Sequence, residues 1–137
     1  MTKIAIATHG NFAKGLKSTL ELFIPNESIS YLTAYVEEEP SIDDQIKRFF
    51  DSLEGESAII FTDLLGGSVN QKVLLASSGK NTKIIAGFNL SLVLEVILNK
   101  EQLTEERLSQ LITSARETMQ VVAPIAGSEM NEDEFFA

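Results

Sequence analysis

Ser57-Ala58-Ile59-Ile60-Phe61-Thr62-Asp63 is the stretch whose reading decides the fold of this chain. Its centre, Ala58-Ile59-Ile60-Phe61, is apolar at odd and even positions alike, so the strand read here, Ser57–Thr62, presents apolar side chains to both faces of its sheet. Such a strand has to be covered on each side, which is the situation of a parallel sheet held between two layers of helices.

Three further short runs, Lys3–Ala7, Ser28–Thr33 and Thr82–Ala86, read as strands, and each is followed by a longer stretch of helical period. Four β-α units in succession predict an α/β fold: a doubly wound, mainly parallel sheet of four strands flanked by helices, in the order 2-1-3-4. The first helix is expected to bury Phe12, Leu16, Leu20 and Phe23 and to end near Pro25. In the second, Ser41 caps, Asp43 and Asp44 occupy the first turn, and Ile42, Ile46, Phe49, Phe50 and Leu53 form the buried stripe, stopping near Gly55. The third starts around Ser68, turns Val69, Val73 and Leu74 inward and ends before Gly79. Ser91 is expected to cap Leu92–Leu98, and Thr104 a last helix with Leu108, Leu111, Ile112, Ala115 and Met119 on its apolar face. Val121-Val122-Ala123-Pro124-Ile125 reads as a fifth strand that Pro124 confines to an edge or a strand end.

With 137 residues, 44% hydrophobic and 23% charged, the chain suits one domain, here residues 1–126, with an acidic tail over 127–137. The net charge of −9 and the lack of a basic run argue against nucleic acid as a partner. No apolar run is long enough to span a bilayer, and the start of the chain does not read as a signal peptide. The absence of cysteine removes thiolate nucleophiles, disulfides and the usual zinc sites, and fits a cytoplasmic location. No metal site and no cofactor is expected.

Ligands of open parallel sheets bind beyond the carboxyl ends of the strands, where strand order reverses. In the predicted order, that crevice joins Thr8-His9-Gly10 to Asp63-Leu64-Leu65-Gly66-Gly67-Ser68. His9, the one histidine, suits a neutral nucleophile near pH 7; a carboxylate on one ring nitrogen fixes the tautomer and leaves the other nitrogen's lone pair free. Asp63 is the candidate for that carboxylate. Gly66, Gly67 and Ser68 sit between a strand and a helix, where backbone amides and a hydroxyl can gather around an anion. Thr8, Gly10 and Asn89 are candidates to line the same crevice. A nucleophile, an orienting acid and an amide pocket suffice for phosphoryl transfer. Paired carboxylates of a glycosidase, a Gly-Lys-Ser/Thr phosphate loop and a Gly-x-Gly-x-x-Gly fingerprint are missing from these positions.

A strand running into Thr8-His9-Gly10, an apolar strand into Asp63, then Gly66-Gly67-Ser68 and Ile85-Ala86-Gly87 with Asn89 together resemble the mannose-type enzyme IIA component of the bacterial phosphoenolpyruvate-dependent sugar phosphotransferase system. The resemblance implies that His9 is phosphorylated on the ring nitrogen farther from the backbone, accepting from HPr and donating to an enzyme IIB, with Asp63 orienting the ring and Ser68 contacting the phosphate. It also implies a homodimer in which an antiparallel C-terminal strand, within Met119–Ile125, is exchanged between subunits, and association with membrane sugar-permease components without insertion. Some members carry a proline and an aromatic residue after the serine, where this chain has Val69 and Asn70. Two other readings compete: the phosphotransfer subunit of a phosphoenolpyruvate-dependent dihydroxyacetone kinase, in which Asp-Leu-Gly-Ser replaces the longer loop found here, and a regulatory binding module that transfers nothing.

Overall fold

A computed structural model describes residues 1–124 and shows four parallel strands in the order β2-β1-β3-β4. The chain alternates between strand and helix: β1 (Thr2–His9), α1 (Phe12–Phe23), β2 (Ile29–Ala34), α2 (Ile42–Asp51), β3 (Ser57–Thr62), α3 (Ser68–Ala76), β4 (Thr82–Ala86) and α4 (Leu90–Leu98). A short 3-10 turn at Lys100–Gln102 leads into α5 (Glu105–Glu117).

Period-two alternation in the two central strands divides the core. Ile4, Ile6, Ile59 and Phe61 face α1, α4 and α5, packing with Ala13, Leu20, Val93, Val96 and Leu111. Ala5, Ala7, Ala58 and Ile60 face the other way, toward Ile46, Phe49, Phe50, Val69 and Val73 of α2 and α3. Every one of these strand residues is at most 2% exposed, as strands covered on both faces must be. Burying a side chain such as Phe61 contributes about 1.5–3 kcal/mol. Because α1 leaves β1 on one face and α3 leaves β3 on the other, a crevice opens between the carboxyl ends of these two adjacent strands.

Two expected caps are present: Ser41 Oγ accepts from the Asp44 amide at 3.1 Å, and Thr104 Oγ1 from that of Arg107 at 3.0 Å. A third is corrected. Asn89, not Ser91, caps α4, its Oδ1 accepting from the Leu92 amide at 2.9 Å, so the helix begins at Leu90. Asparagine serves this role as well as serine, and it stands at the point where the extended chain enters the helix.

Helix faces also differ from the expectation at several positions. Phe12 and Phe23 are more than half exposed, and Ala13 and Leu20 are the fully buried residues of α1. In α3, Leu74 is exposed while Asn70 turns inward with Val69 and Val73. Met119 lies beyond the end of α5 and is exposed. Residues 119–124 adopt no regular structure within the chain, and Ile125 and the acidic tail lie outside the described residues.

Candidate active site

The register of the two central strands builds the site. Ala7 pairs with Thr62, so His9, the last residue of β1, and Asp63, the first after β3, emerge side by side at one end of the sheet. Asp63 holds His9 through both its backbone and its ring. Its Oδ2 accepts from the His9 amide at 2.8 Å and lies 2.9 Å from Nδ1, with Oδ1 at 3.2 Å from the same nitrogen. A carboxylate only accepts, so Nδ1 carries the proton and the lone pair of the neutral ring is on Nε2. The Asp63 side chain is 9% exposed and that of His9 35%, so the acid is shielded while the ring remains open to a reactant.

Nε2 is 3.3 Å from Ser68 Oγ. Ser68 opens α3, whose start has no side-chain cap, and the unpaired amides of a first helical turn favour negative charge beside it. The amides of Gly66 and Gly67, by contrast, are engaged inside the loop: Gly66 donates to Asn70 Oδ1 at 3.0 Å and Gly67 to the Leu64 carbonyl at 3.1 Å. The two glycines therefore shape the loop. Gly66 has a positive φ of 75°, and a Cβ on Gly67 would stand 3.5 Å from His9 Cε1 and 3.1 Å from Leu64 Cβ.

Asn70 is 3% exposed and also donates from Nδ2 to Thr62 Oγ1 at 2.9 Å, fastening the Gly66 end of the loop to the end of β3. That is the local role of the Val69-Asn70 pair: Val69 joins the core and Asn70 latches the loop.

Of the other sequence candidates, Thr8 is buried and its Oγ1 accepts from the Ala13 amide at 2.8 Å, tying the start of α1 to β1. Gly10 turns with φ 58° and donates to the Ala34 carbonyl at 2.8 Å, joining the ends of β1 and β2. The Asn89 side chain is committed to Leu92, Ala115 and Thr118, at α4 and α5 rather than at His9.

One residue escaped the sequence reading. Tyr35, directly after β2, has a left-handed φ of 64° and an exposed side chain, yet its phenol oxygen is 2.8 Å from Ser68 Oγ and its ring centroid 5.7 Å from that of His9. No periodicity marks it; the only signal is a tyrosine at the carboxyl end of a strand beside the first. Lys72, on α3, hydrogen-bonds Asp43 and titrates above its ordinary value, chiefly because of that bond and in small part because of Tyr35. Among the described residues, no three His, Cys, Asp or Glu side chains gather as metal ligands.

Known proteins share this fold. The chain is similar to a Klebsiella pneumoniae protein described as a phosphoenolpyruvate-dependent sugar phosphotransferase system permease, at 29% identity over 88% of this chain and 90% of that one, with a TM-score of 0.78. It is similar also to phosphotransferase system component EIIA of Streptococcus agalactiae, at 25% identity over 88% and 97% of the two chains and a TM-score of 0.72. The mannose/sorbose specific IIA subunit of Enterococcus faecalis shares the fold at 14% identity, over 93% of this chain and 98% of that one, with a TM-score of 0.75. No match is found among the curated proteins. Residues 3–113 match the family EIIA-man, the PTS system fructose IIA component, and over that extent the chain belongs to this family.

Proposed function

We propose that this protein is a cytoplasmic phosphocarrier of sugar uptake, in which His9 takes a phosphoryl group from HPr and passes it to an enzyme IIB. The observation that carries the reading is the asymmetry of the imidazole: Nδ1 is bound by Asp63, and Nε2 faces a hydroxyl and a helix start at a partly exposed position. The Nε2 lone pair attacks the phosphorus of phospho-HPr; the new N–P bond forms as the bond from phosphorus to HPr breaks, and that bond's electron pair stays with HPr. The Nδ1 proton remains in place, and the Asp63 carboxylate offsets the positive charge on the ring. Ser68 and the first amides of α3 then hold the phosphoryl oxygens until the same steps run with enzyme IIB as acceptor.

Both reactants are proteins in this reading, which suits the site. It lies at the surface, and Phe12, Tyr35, Leu64 and Leu65, on the segments that carry His9, Ser68 and their neighbours, are all more than half exposed. No helix among the described residues is long and apolar enough to cross a membrane; in this reading the carrier associates with the membrane sugar-permease components without inserting. The phosphocarrier domain is assigned to residues 1–126, ahead of the acidic tail. A homodimer completes the assignment. Among the described residues β4 pairs only with β3, and a groove lined by Ile84, Ala86, Ile112, Arg116 and Met119 runs beside it, where a C-terminal strand of a second copy would lie.

The test is to incubate the purified chain with phosphoenolpyruvate, enzyme I and HPr. An acid-labile gain of one phosphoryl group, absent from His9→Ala, is expected. An unmodified chain beside fully phosphorylated HPr would overturn the proposal and leave a binding module that has kept the fold.

A further inference from the structure

Tyr35 is the one residue at this site whose backbone conformation is costly and whose side chain is spent on the surface. A non-glycine residue at φ 64° is disfavoured, and strain of this kind persists only where the surroundings hold it. The turn directs the side chain sideways, from the end of β2 across the end of β1 to the start of α3. The His9 ring lies along that path, tilted 35° to the phenol ring, and Ser68 Oγ lies at its end.

The hydrogen-bond directions follow from the acid at the other side of the ring. Because Asp63 fixes the proton on Nδ1, Nε2 can only accept, so the Ser68 hydroxyl donates to it. With its proton committed, Ser68 Oγ can only accept from Tyr35, so the phenol is the donor in the 2.8 Å contact. Chained donors polarise one another, so the Tyr35 bond strengthens the one that Ser68 makes.

We propose that Tyr35 is a positioning residue for phosphoryl transfer: its phenol sets the Ser68 hydroxyl as a donor, toward Nε2 in the free protein and toward a phosphoryl oxygen once Nε2 is occupied. The free nucleophile is thus kept as the reactive tautomer with its lone pair aimed at Ser68, and the serine needs only a hydroxyl rotation to meet the incoming group. This inference rests on the phosphocarrier reading for its consequence, but its geometry can be tested without a phosphoryl donor.

The experiment compares wild type, Tyr35→Phe, Ser68→Ala and the double variant by ¹⁵N NMR of the imidazole in the unphosphorylated protein. Tyr35→Phe keeps the ring and removes only an exposed hydroxyl, so the fold is retained. Its Nε2 resonance is expected to move toward that of a nitrogen without a hydrogen bond, and the same substitution in the Ser68→Ala background is expected to leave Nε2 unmoved. An unmoved Nε2 in Tyr35→Phe, or an equal shift in both backgrounds, overturns the relay. In the phosphorylation assay, Tyr35→Phe is expected to slow transfer about fivefold, as loss of one ordinary hydrogen bond in the transition state would. An unchanged rate overturns the role in transfer. If the wild type takes no phosphate while the NMR cycle behaves as described, the phosphocarrier reading fails and the relay stands.

Discussion

A single oxygen of Asp63 binds His9 in two places, 2.8 Å from its backbone amide and 2.9 Å from its ring Nδ1. The position of β1's last residue and the tautomer of its side chain are thereby set by one group. In Asp63→Asn, an amide oxygen in the place of Oδ2 preserves the shape, but the negative charge is gone and an N–H faces Nδ1. The folded variant is expected to accept phosphate at least about tenfold more slowly, because nothing offsets the charge on the ring. Asp63→Ala, which strips both bonds, is expected to lose about 1.5–3 kcal/mol of stability in urea titration as well.

Gly66 and Gly67 should fail in different ways. Gly66 has room for a Cβ but a left-handed backbone, so Gly66→Ala should cost about 1 kcal/mol and Gly66→Asn less, since asparagine tolerates that region. Gly67 has an ordinary backbone but a Cβ position crowded by Leu64, whose Cβ would lie 3.1 Å away and its carbonyl oxygen 3.3 Å, with His9 Cε1 at ordinary contact distance. Gly67→Ala should press on Leu64, shift the loop that leads into Ser68 and slow transfer, while Gly66→Asn leaves transfer near wild type. Equal transfer rates in these two variants would contradict the assignment.

Asn70 satisfies the Gly66 amide and the Thr62 hydroxyl in a buried position. Asn70→Leu keeps the volume but leaves both groups without their partner, and is expected to destabilise the protein by about 1–3 kcal/mol in urea titration. Faster hydrogen exchange at Gly66 should accompany it, because the latch of the loop is lost.

Stability should decline at alkaline pH. Burial against the core, helped by Glu21, raises the Tyr31 phenol above its ordinary value of 10.0, and carboxylates raise Lys47 (Asp51) and Lys72 (Asp43) above 10.5. All three hold their protons more tightly folded than unfolded. Their stabilisation is complete below the unfolded values and is lost as pH climbs through the folded ones. The urea midpoint should therefore fall from about pH 10 upward, and less steeply in Tyr31→Phe. A midpoint that is flat or rises over that range contradicts these shifts.

The strands were readable because a doubly buried strand leaves little freedom: Ser57–Thr62 and Thr82–Ala86 have the bounds that their apolar runs suggest, and β1 and β2 differ by one or two residues. His9 and Asp63 could be brought together from the order of strands alone, since topology sets which ends are neighbours. Helix faces were harder. Apolar spacing treats Phe12 and Phe23 like Leu20, but both, at the ends of α1, are more than half exposed, and Phe12 stacks on the half-buried Phe88 instead. Asn70 and Tyr35 were unreadable for a different reason. The importance of Tyr35 comes from one partner in a distant segment, Ser68, and that of Asn70 from two groups of its own loop, the Gly66 amide and the Thr62 hydroxyl, and neither residue type nor spacing encodes these bonds.

The imidazole and the three side chains that order it, Asp63, Ser68 and Tyr35, come from three adjacent strand ends, with Asp63 and Ser68 lying 54 and 59 positions along the chain from the histidine. No fragment shorter than the sheet itself can assemble them. On the proposed reading, reactivity toward a phosphoryl donor switches on only when folding is finished, and the phosphorylatable fraction of a preparation would measure how many of its molecules are native.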